Sequence, residues 1–173
     1  MSKLLCLFVI LAFTACSEKS NKTLFTVLPA TETGIDFKNS IIENDSTNIL
    51  DYEYTFNGGG VAVADFNNDG KEDIYFTANM GSNALYLNKG DWQFENVTQA
   101  AGVGGEGRWC NGVSTVDINN DGWMDLYISA SRYNDPAKRK NLLYINEGAA
   151  NNTSTTLLVP HFKEAAADYG LAD

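Results

Sequence analysis

Two short acidic segments are the residues of this sequence whose types and spacing point most directly to chemistry. Each reads Asp-x-Asn-x-Asp-Gly-x-x-Asp, once over residues 65–73 and again over residues 117–125. Oxygen atoms at positions 1, 3 and 5 can turn inward around one point, while the glycine at position 6 permits the sharp turn. A main-chain carbonyl at position 7 and a carboxylate at position 9 then complete the shell. The predicted metal ligands are Asp65, Asn67, Asp69, Lys71 (through its carbonyl) and Asp73, and Asp117, Asn119, Asp121, Trp123 (through its carbonyl) and Asp125.

This donor set favours Ca²⁺ as the cofactor. Calcium takes roughly six to eight hard oxygen ligands, whereas magnesium demands a stricter octahedron. An EF-hand would carry glutamate at position 12, where this sequence has Phe76 and Ile128, so the segments are interpreted as loops between strands. The alternative is an Asn/Asp/Gly turn that binds no metal. Two such loops at matching places favour the calcium interpretation.

The acidic loops belong to an internal repeat. Residues 60–76 align with residues 112–128, and a second landmark, Leu85-Tyr86-Leu87-Asn88, recurs as Leu143-Tyr144-Ile145-Asn146. A third landmark, a phenylalanine followed by a glycine turn, occurs at Phe94, Phe162 and also Phe25. A fixed period of about fifty residues is typical of repeat architectures such as β-propellers. The chain therefore contains two near-complete repeat units and part of a third.

Each complete unit is predicted to form four short strands separated by turns, which is the plan of one propeller blade. The fold class is therefore all-β, a partial β-propeller of four-stranded antiparallel blades with an orphan strand near Phe25. We expect the blades at about 58–97 and 110–164 within a repeat region of 24–173, as a fragment of a longer protein. The predicted strands lie near Val61–Ala64, Asp73–Ala78, Ala84–Asn88, Trp92–Val97, Val113–Val116, Asp125–Ala130, Leu142–Asn146 and Pro160–Lys163, with a loop over Ala149–Thr156.

The first residues are interpreted as an export signal. Lys3 precedes an apolar stretch of residues 4–13, which is too short for a membrane span. The stretch ends in Phe13-Thr14-Ala15-Cys16, which resembles the lipobox of bacterial lipoproteins, although Phe13 departs from the usual leucine. We therefore predict a signal peptide over 1–15, lipid on Cys16 and a tether over 16–23. A plain secretory peptide cut near Ala15 is the alternative.

Composition excludes several classes of function. The 173 residues carry 12 Lys+Arg against 22 Asp+Glu, a net charge of -10, which disfavours nucleic acid as a partner. The chain has a single histidine, His161, which disfavours both a catalytic triad and a multi-histidine zinc site. His161 is expected at the surface or in packing, and Cys110 as a buried or half-buried thiol. We predict no catalytic residues and no organic cofactor in this chain.

In its acidic loops and repeat landmarks, the sequence resembles the FG-GAP/VCBS repeat proteins. It is most similar to Bacteroidota lipoproteins that join such repeats to a C-terminal ASPIC/UnbV-type domain. The resemblance implies a seven-bladed propeller like that of integrin α chains, with calcium at the blade loops and a binding role outside the cytoplasm. The resemblance rests on four features of the sequence: residues Gly58–Asp65, the two acidic loops, Leu85–Asn88 and Asn141–Asn146.

The expected function is a non-catalytic, calcium-binding scaffold for binding or adhesion at the cell surface or outer membrane. Its partner would be a protein or glycan ligand, with membrane contact only through lipid on Cys16. Arg108, Trp109 and Tyr133 are candidate ligand contacts, but more often such residues pack. Two alternatives remain: the carrier domain of a polysaccharide- or lipid-processing enzyme whose catalytic part lies elsewhere, or a spacer without a ligand.

Overall fold

The computed structural model describes residues 23–151 and 157–172, so the predicted signal peptide and Cys16 lie outside the described residues. Each helix is a single turn, and no helix within these ranges is long and apolar enough to cross a membrane. The helices and strands, numbered in chain order, are α1 Ala30–Thr33, β1 Val61–Ala64, β2 Asp73–Phe76, β3 Ala84–Gly90, β4 Gln93–Asn96, α2 Thr98–Ala101, β5 Trp109–Val116, β6 Asp125–Ser131, α3 Pro136–Arg139, β7 Leu142–Asn151 and β8 Leu158–Glu164.

The strands form two separate four-stranded sheets. The first has the order β1-β2-β3-β4 and the second the order β5-β6-β7-β8, so neighbours in space are neighbours in sequence. All the pairs are antiparallel, with Val61 opposite Phe76 in the first sheet and Val113 opposite Ile128 in the second. The predicted all-β architecture of four-stranded blades is confirmed.

The main core lies between the two sheets. In β1 the side chains alternate, so that Ala62 and Ala64 are buried while Val61 is 58% exposed on the opposite face. Strand β1 packs against β5, and α2 fills the space between β3 and β8. The first blade, with its loops, contributes Ala62, Ala64, Phe66, Tyr75, Leu85 and Leu87 to this core, and the second contributes Leu126, Ile128, Leu142, Tyr144 and Phe162.

The segment that contains α1 covers part of the other face of the first sheet. The ring of Phe37 stacks on Phe76 with centroids 4.8 Å apart, and Ile35 packs on the same cluster. The strand predicted around Phe25 is not formed: residues 23–29 have no regular structure, and Phe25 is exposed. A strand is stabilised by ladder hydrogen bonds to a neighbour, and none of the described strands pairs with this segment.

The strand ends differ from the predictions where hairpins are longer or tighter than expected. Strand β7 continues to Asn151, into the predicted loop 149–156, because it pairs with β8 as far as Leu158. Residues 152–156 of that loop lie outside the described residues. The sequence predicts Trp92 in a strand, but Trp92 forms the β3–β4 turn together with Asp91, since both have positive φ.

Candidate metal centre

The first acidic loop joins β1 to β2 and is folded by its own side chains. The two carboxylate oxygens of Asp65 accept hydrogen bonds from the backbone N–H groups of Asp69, at 3.1 Å, and Gly70, at 2.7 Å. Asn67 Oδ1 also accepts from the Asp69 N–H at 3.2 Å, and Asp69 Oδ1 accepts from the Lys71 N–H at 3.0 Å. The residues at positions 1, 3 and 5 therefore hold the backbone of the turn that carries them.

The second loop joins β5 to β6 and repeats these bonds. Asp117 accepts from the N–H groups of Asp121, at 3.0 Å, and Gly122, at 2.9 Å. Asn119 Oδ1 accepts from the Asp121 N–H at 3.1 Å, and Asp121 Oδ1 accepts from the Trp123 N–H at 2.9 Å. The two loops thus have the same local structure at the same place in each blade, as the repeat predicts.

The carboxylates at position 9 are fully buried. Asp73 accepts from the N–H groups of Phe66, at 2.9 Å, and Asn88, at 2.8 Å. Asp125 accepts equivalently from the N–H groups of Ile118, at 3.0 Å, and Asn146, at 2.8 Å. Each of these carboxylates therefore ties the start of its loop to the third strand of its blade.

Burial and neighbouring negative charge raise the pKa of both groups. For Asp73, burial is the largest cause, the carboxylates of Asp69 and Asp65 add to it, and the two N–H donors partly oppose it; the resulting pKa is about 7. Burial is also the largest cause of the raised pKa of Asp125, and the carboxylates of Asp121 and Asp117 raise this pKa further. A cation beside either carboxylate would favour its charged form.

We predict that the metal-free protein becomes less stable as the pH rises from about 5 to 7. In the unfolded chain the Asp73 carboxyl has the ordinary aspartate pKa of 3.8, so it is already ionised while the folded chain still holds its proton. Raising the pH therefore favours the unfolded state, by about 1.4 kcal/mol for each pH unit, or roughly 2–3 kcal/mol over the interval. Urea unfolding in chelator at several pH values measures this slope.

The control for this pH effect is Asp73→Asn, in which the titrating group is gone. We expect its urea midpoint to change much less between pH 5 and 7. An equal slope in the variant and in the wild type would show that another group causes the pH dependence.

The two loops differ in the charge at position 7. In the first loop Lys71 Nζ lies 2.9 Å from Asp69 Oδ2, so this loop carries its own cation. In the second loop Trp123 stands at that position, and Asp121 Oδ2 accepts from Asn119 Nδ2 at 2.7 Å, a bond whose equivalent in the first loop, from Asn67 Nδ2 to Asp69 Oδ2, is 3.4 Å long. The second loop is also the more exposed of the two, because the first lies against β8, where Asn67 Nδ2 donates to Leu158 O at 3.1 Å.

The donor chemistry of both loops fits calcium, which the family resemblance implies. Each loop supplies three carboxylates and an amide oxygen. Most of these carboxylate oxygens accept a single hydrogen bond and keep a second lone pair for an ion, whereas Asp69 Oδ2 accepts from both Lys71 Nζ and Asn67 Nδ2. As the loops stand, no three Asp, Glu, His or Cys side chains in residues 23–151 and 157–172 are gathered closely enough to hold a metal ion. An ion would therefore have to draw the carboxylates of a loop inward.

Two residues near the loops were not among the predicted ligands. Phe66, at position 2 of the first loop, is fully buried and meets Phe162 of the second sheet edge-on at 6.1 Å between centroids. Asn146, also fully buried, donates from Nδ2 to Phe66 O at 2.8 Å. The only sequence signal for Asn146 is its recurrence in the landmark that it shares with Asn88.

The other candidate residues lie away from the loops. Trp109 is fully buried beneath the guanidinium of Arg132, 4.4 Å from its ring, and is therefore not an exposed ligand platform. Arg108 pairs with Glu106 at 2.6 Å, and Tyr133 lies beside Lys138. His161 is at the surface beside Glu147, and the Cys110 thiol is buried, both as predicted.

Comparison with known proteins finds similarity over the stretch that contains the two loops. Over 69 residues the chain is 35% identical to cartilage acidic protein 1 of Xenopus tropicalis and 34% identical to that of Homo sapiens. The aligned stretch is 40% of this chain but only 11% and 10% of those proteins, so the chain spans about a tenth of the relatives it matches. No solved structure matches. Residues 65–128, a stretch that contains both acidic loops, match the FG-GAP-like repeat family.

Proposed function

We propose that this chain is a calcium-binding module that works outside the cytoplasm as a non-catalytic scaffold for binding or adhesion. The FG-GAP-like repeat supports a propeller-type binding module, and the relatives named cartilage acidic protein support an extracellular location. Calcium would stiffen the first hairpin of each blade. The loops at that end of the blades would then keep a fixed shape for a partner.

One observation carries the calcium proposal: two acidic loops with the same ligand pattern are folded by the same hydrogen bonds at equivalent places in two blades. Three carboxylates in nine residues repel one another when all are ionised, and a bound cation offsets that repulsion. The second loop lacks the lysine that partly neutralises the first. We therefore expect the second loop to bind calcium more tightly than the first.

The test is calcium binding to the whole chain, measured by isothermal titration calorimetry and by thermal unfolding with calcium or chelator. We expect binding at two sites and a higher melting temperature in calcium. Asp121→Ala and Asp69→Ala should each remove one site, and Asp121→Ala should remove the tighter one. Both variants should also lose part of the melting response to chelator.

Asp168→Ala is the matched control. It removes one exposed carboxylate outside both loops, so it changes the net charge by the same amount. We expect its calcium response to equal that of the wild type. Absence of heat on adding calcium to folded wild-type protein, or an equal loss in Asp168→Ala, would refute a specific site in the loops.

The cell-surface location and the protein or glycan ligand are further parts of this proposal. Attachment would come from lipid on Cys16, which lies outside the described residues. Mass spectrometry of the protein from bacterial membranes should find a diacylglyceryl group on Cys16, and Cys16→Ser should release the protein into the soluble fraction. A cleaved, unmodified protein would favour plain secretion.

A further inference from the structure

Asn146 is the one residue in the described part of the chain that hydrogen-bonds directly to both acidic loops from outside them. Its backbone N–H donates to Asp125 Oδ1, the last ligand position of the second loop, at 2.8 Å. Its side-chain Nδ2 donates to Phe66 O, in the first loop, at 2.8 Å, and to Met124 O at 3.2 Å. Because Asn146 is fully buried, water does not compete for these bonds.

The connection continues to the last ligand position of the first loop. The N–H of Phe66 donates to Asp73 Oδ2 at 2.9 Å. The carboxylates of Asp73 and Asp125 are therefore joined through Phe66 and Asn146 by a chain of buried hydrogen bonds. A second, exposed contact runs alongside: Asn68 Nδ2 donates to Gly122 O at 3.2 Å, and the Gly122 N–H donates to Asp117.

The equivalent residue of the first blade, Asn88, provides an internal comparison. Its backbone N–H donates to Asp73, and its Nδ2 donates to Glu72 O at 3.0 Å, which corresponds to the bond from Asn146 to Met124. In both repeats the side-chain oxygen accepts from the glycine two residues on. These bonds of Asn88 all lie within its own blade, so the link between blades is what distinguishes Asn146.

We propose that Asn146 is a positioning residue that couples calcium binding at the two loops, so that filling one raises the affinity of the other. This inference rests on the proposed function above. An ion that draws Asp73 or Asp125 inward moves or stiffens the chain of hydrogen bonds, and the second ion then has less ordering left to impose. Such coupling is reciprocal, and we expect about a fivefold change in affinity in either direction.

The test is a double-mutant cycle read by calorimetry on the whole chain. Asp121→Ala disables the second loop, which fills first in the wild type, and we expect the calcium Kd of the first loop to rise about fivefold. In the Asn146→Ala background, the same Asp121→Ala change should leave that Kd unaltered. In the Asn88→Ala background, the fivefold effect should persist. A purely structural role for Asn146 would lower stability without abolishing the dependence of one site on the other.

A second measurement covers the case in which Asn146→Ala does not fold. In Asp121→Ala only the first loop can fill, and calcium should then slow amide hydrogen exchange at Asn146 and Ile118, across the blade boundary. Asn68→Gly, which suits the positive φ of that residue, tests whether the exposed contact between Asn68 and Gly122 contributes to the coupling. Two sites that fill independently, with exchange in the second blade unchanged, overturn the coupling alone. No calcium binding at either loop overturns the proposed function and the coupling together.

Discussion

Phe66→Ala is expected to be among the most destabilising single substitutions in this protein. The ring is fully buried between the two sheets and contacts Phe162 at 6.1 Å between centroids. Truncating a buried phenylalanine to alanine removes its transfer free energy and leaves a cavity, at a cost of about 3–5 kcal/mol. Because the ring packs between the two blades, its truncation should weaken the packing of one blade on the other and not only the first sheet. Urea unfolding should show a lower midpoint.

Ile118→Ala is the matched control, since Ile118 stands at position 2 of the second loop. Ile118 is only half-buried, because no described sheet packs over that face of the second blade. We expect Ile118→Ala to cost about 1 kcal/mol, in proportion to the smaller apolar area withdrawn from water. Equal losses in the two variants would contradict the assignment of Phe66 to the interface between the blades.

This asymmetry shows how far the sequence predicts the fold. The repeat aligns Phe66 with Ile118 and predicts the same strand-loop-strand structure for both, which the hydrogen bonds of the two loops confirm. Burial of the two residues nevertheless differs, because it depends on whether a neighbouring sheet covers the loop. A motif specifies its own backbone through local bonds, whereas burial is a property of the assembled blades.

The N-terminal segment illustrates the same limit. The third landmark of the repeat, a phenylalanine followed by a glycine turn, occurs in this segment as it does at the turns after β4 and β8. The turn is present, with Gly34 in the left-handed conformation after α1. The strand expected before it is absent, because strand formation depends on a partner that local sequence does not reveal. The landmark therefore predicts the turn correctly and the strand incorrectly.

The candidate site can be predicted more completely than its connections. Alternating oxygen donors and a glycine are a local pattern, so the loops can be identified from spacing alone. Asn146 cannot be assigned a role in this way, since its bond to Phe66 spans 80 residues of sequence. The raised pKa of Asp73 likewise follows mainly from the burial of its carboxyl in the folded chain, which sequence spacing does not give.

Gly60→Val is the second substitution expected to have a large effect. Gly60 precedes β1 where the first blade comes close to β5 of the second. A Cβ at this position would lie 2.9 Å from Val113 N and 3.0 Å from Gly112 Cα, both backbone atoms that no side-chain rotation can move. Valine adds two further carbons, so β1 and β5 would have to separate. Overpacking of this kind costs about 1–3 kcal/mol, and we expect the upper end of that range.

Gly81→Ala controls for the general effect of replacing a glycine. Its new Cβ would have only Ala78 Cβ within reach, at an ordinary 3.9 Å. Because alanine restricts the unfolded chain more than glycine does, we expect Gly81→Ala to change the free energy of unfolding by less than about 1 kcal/mol. Gly60→Ala should fall between the two variants, and urea unfolding of all three should reproduce this order. A Gly60→Val midpoint equal to that of Gly81→Ala would mean that the blades do not meet at Gly60.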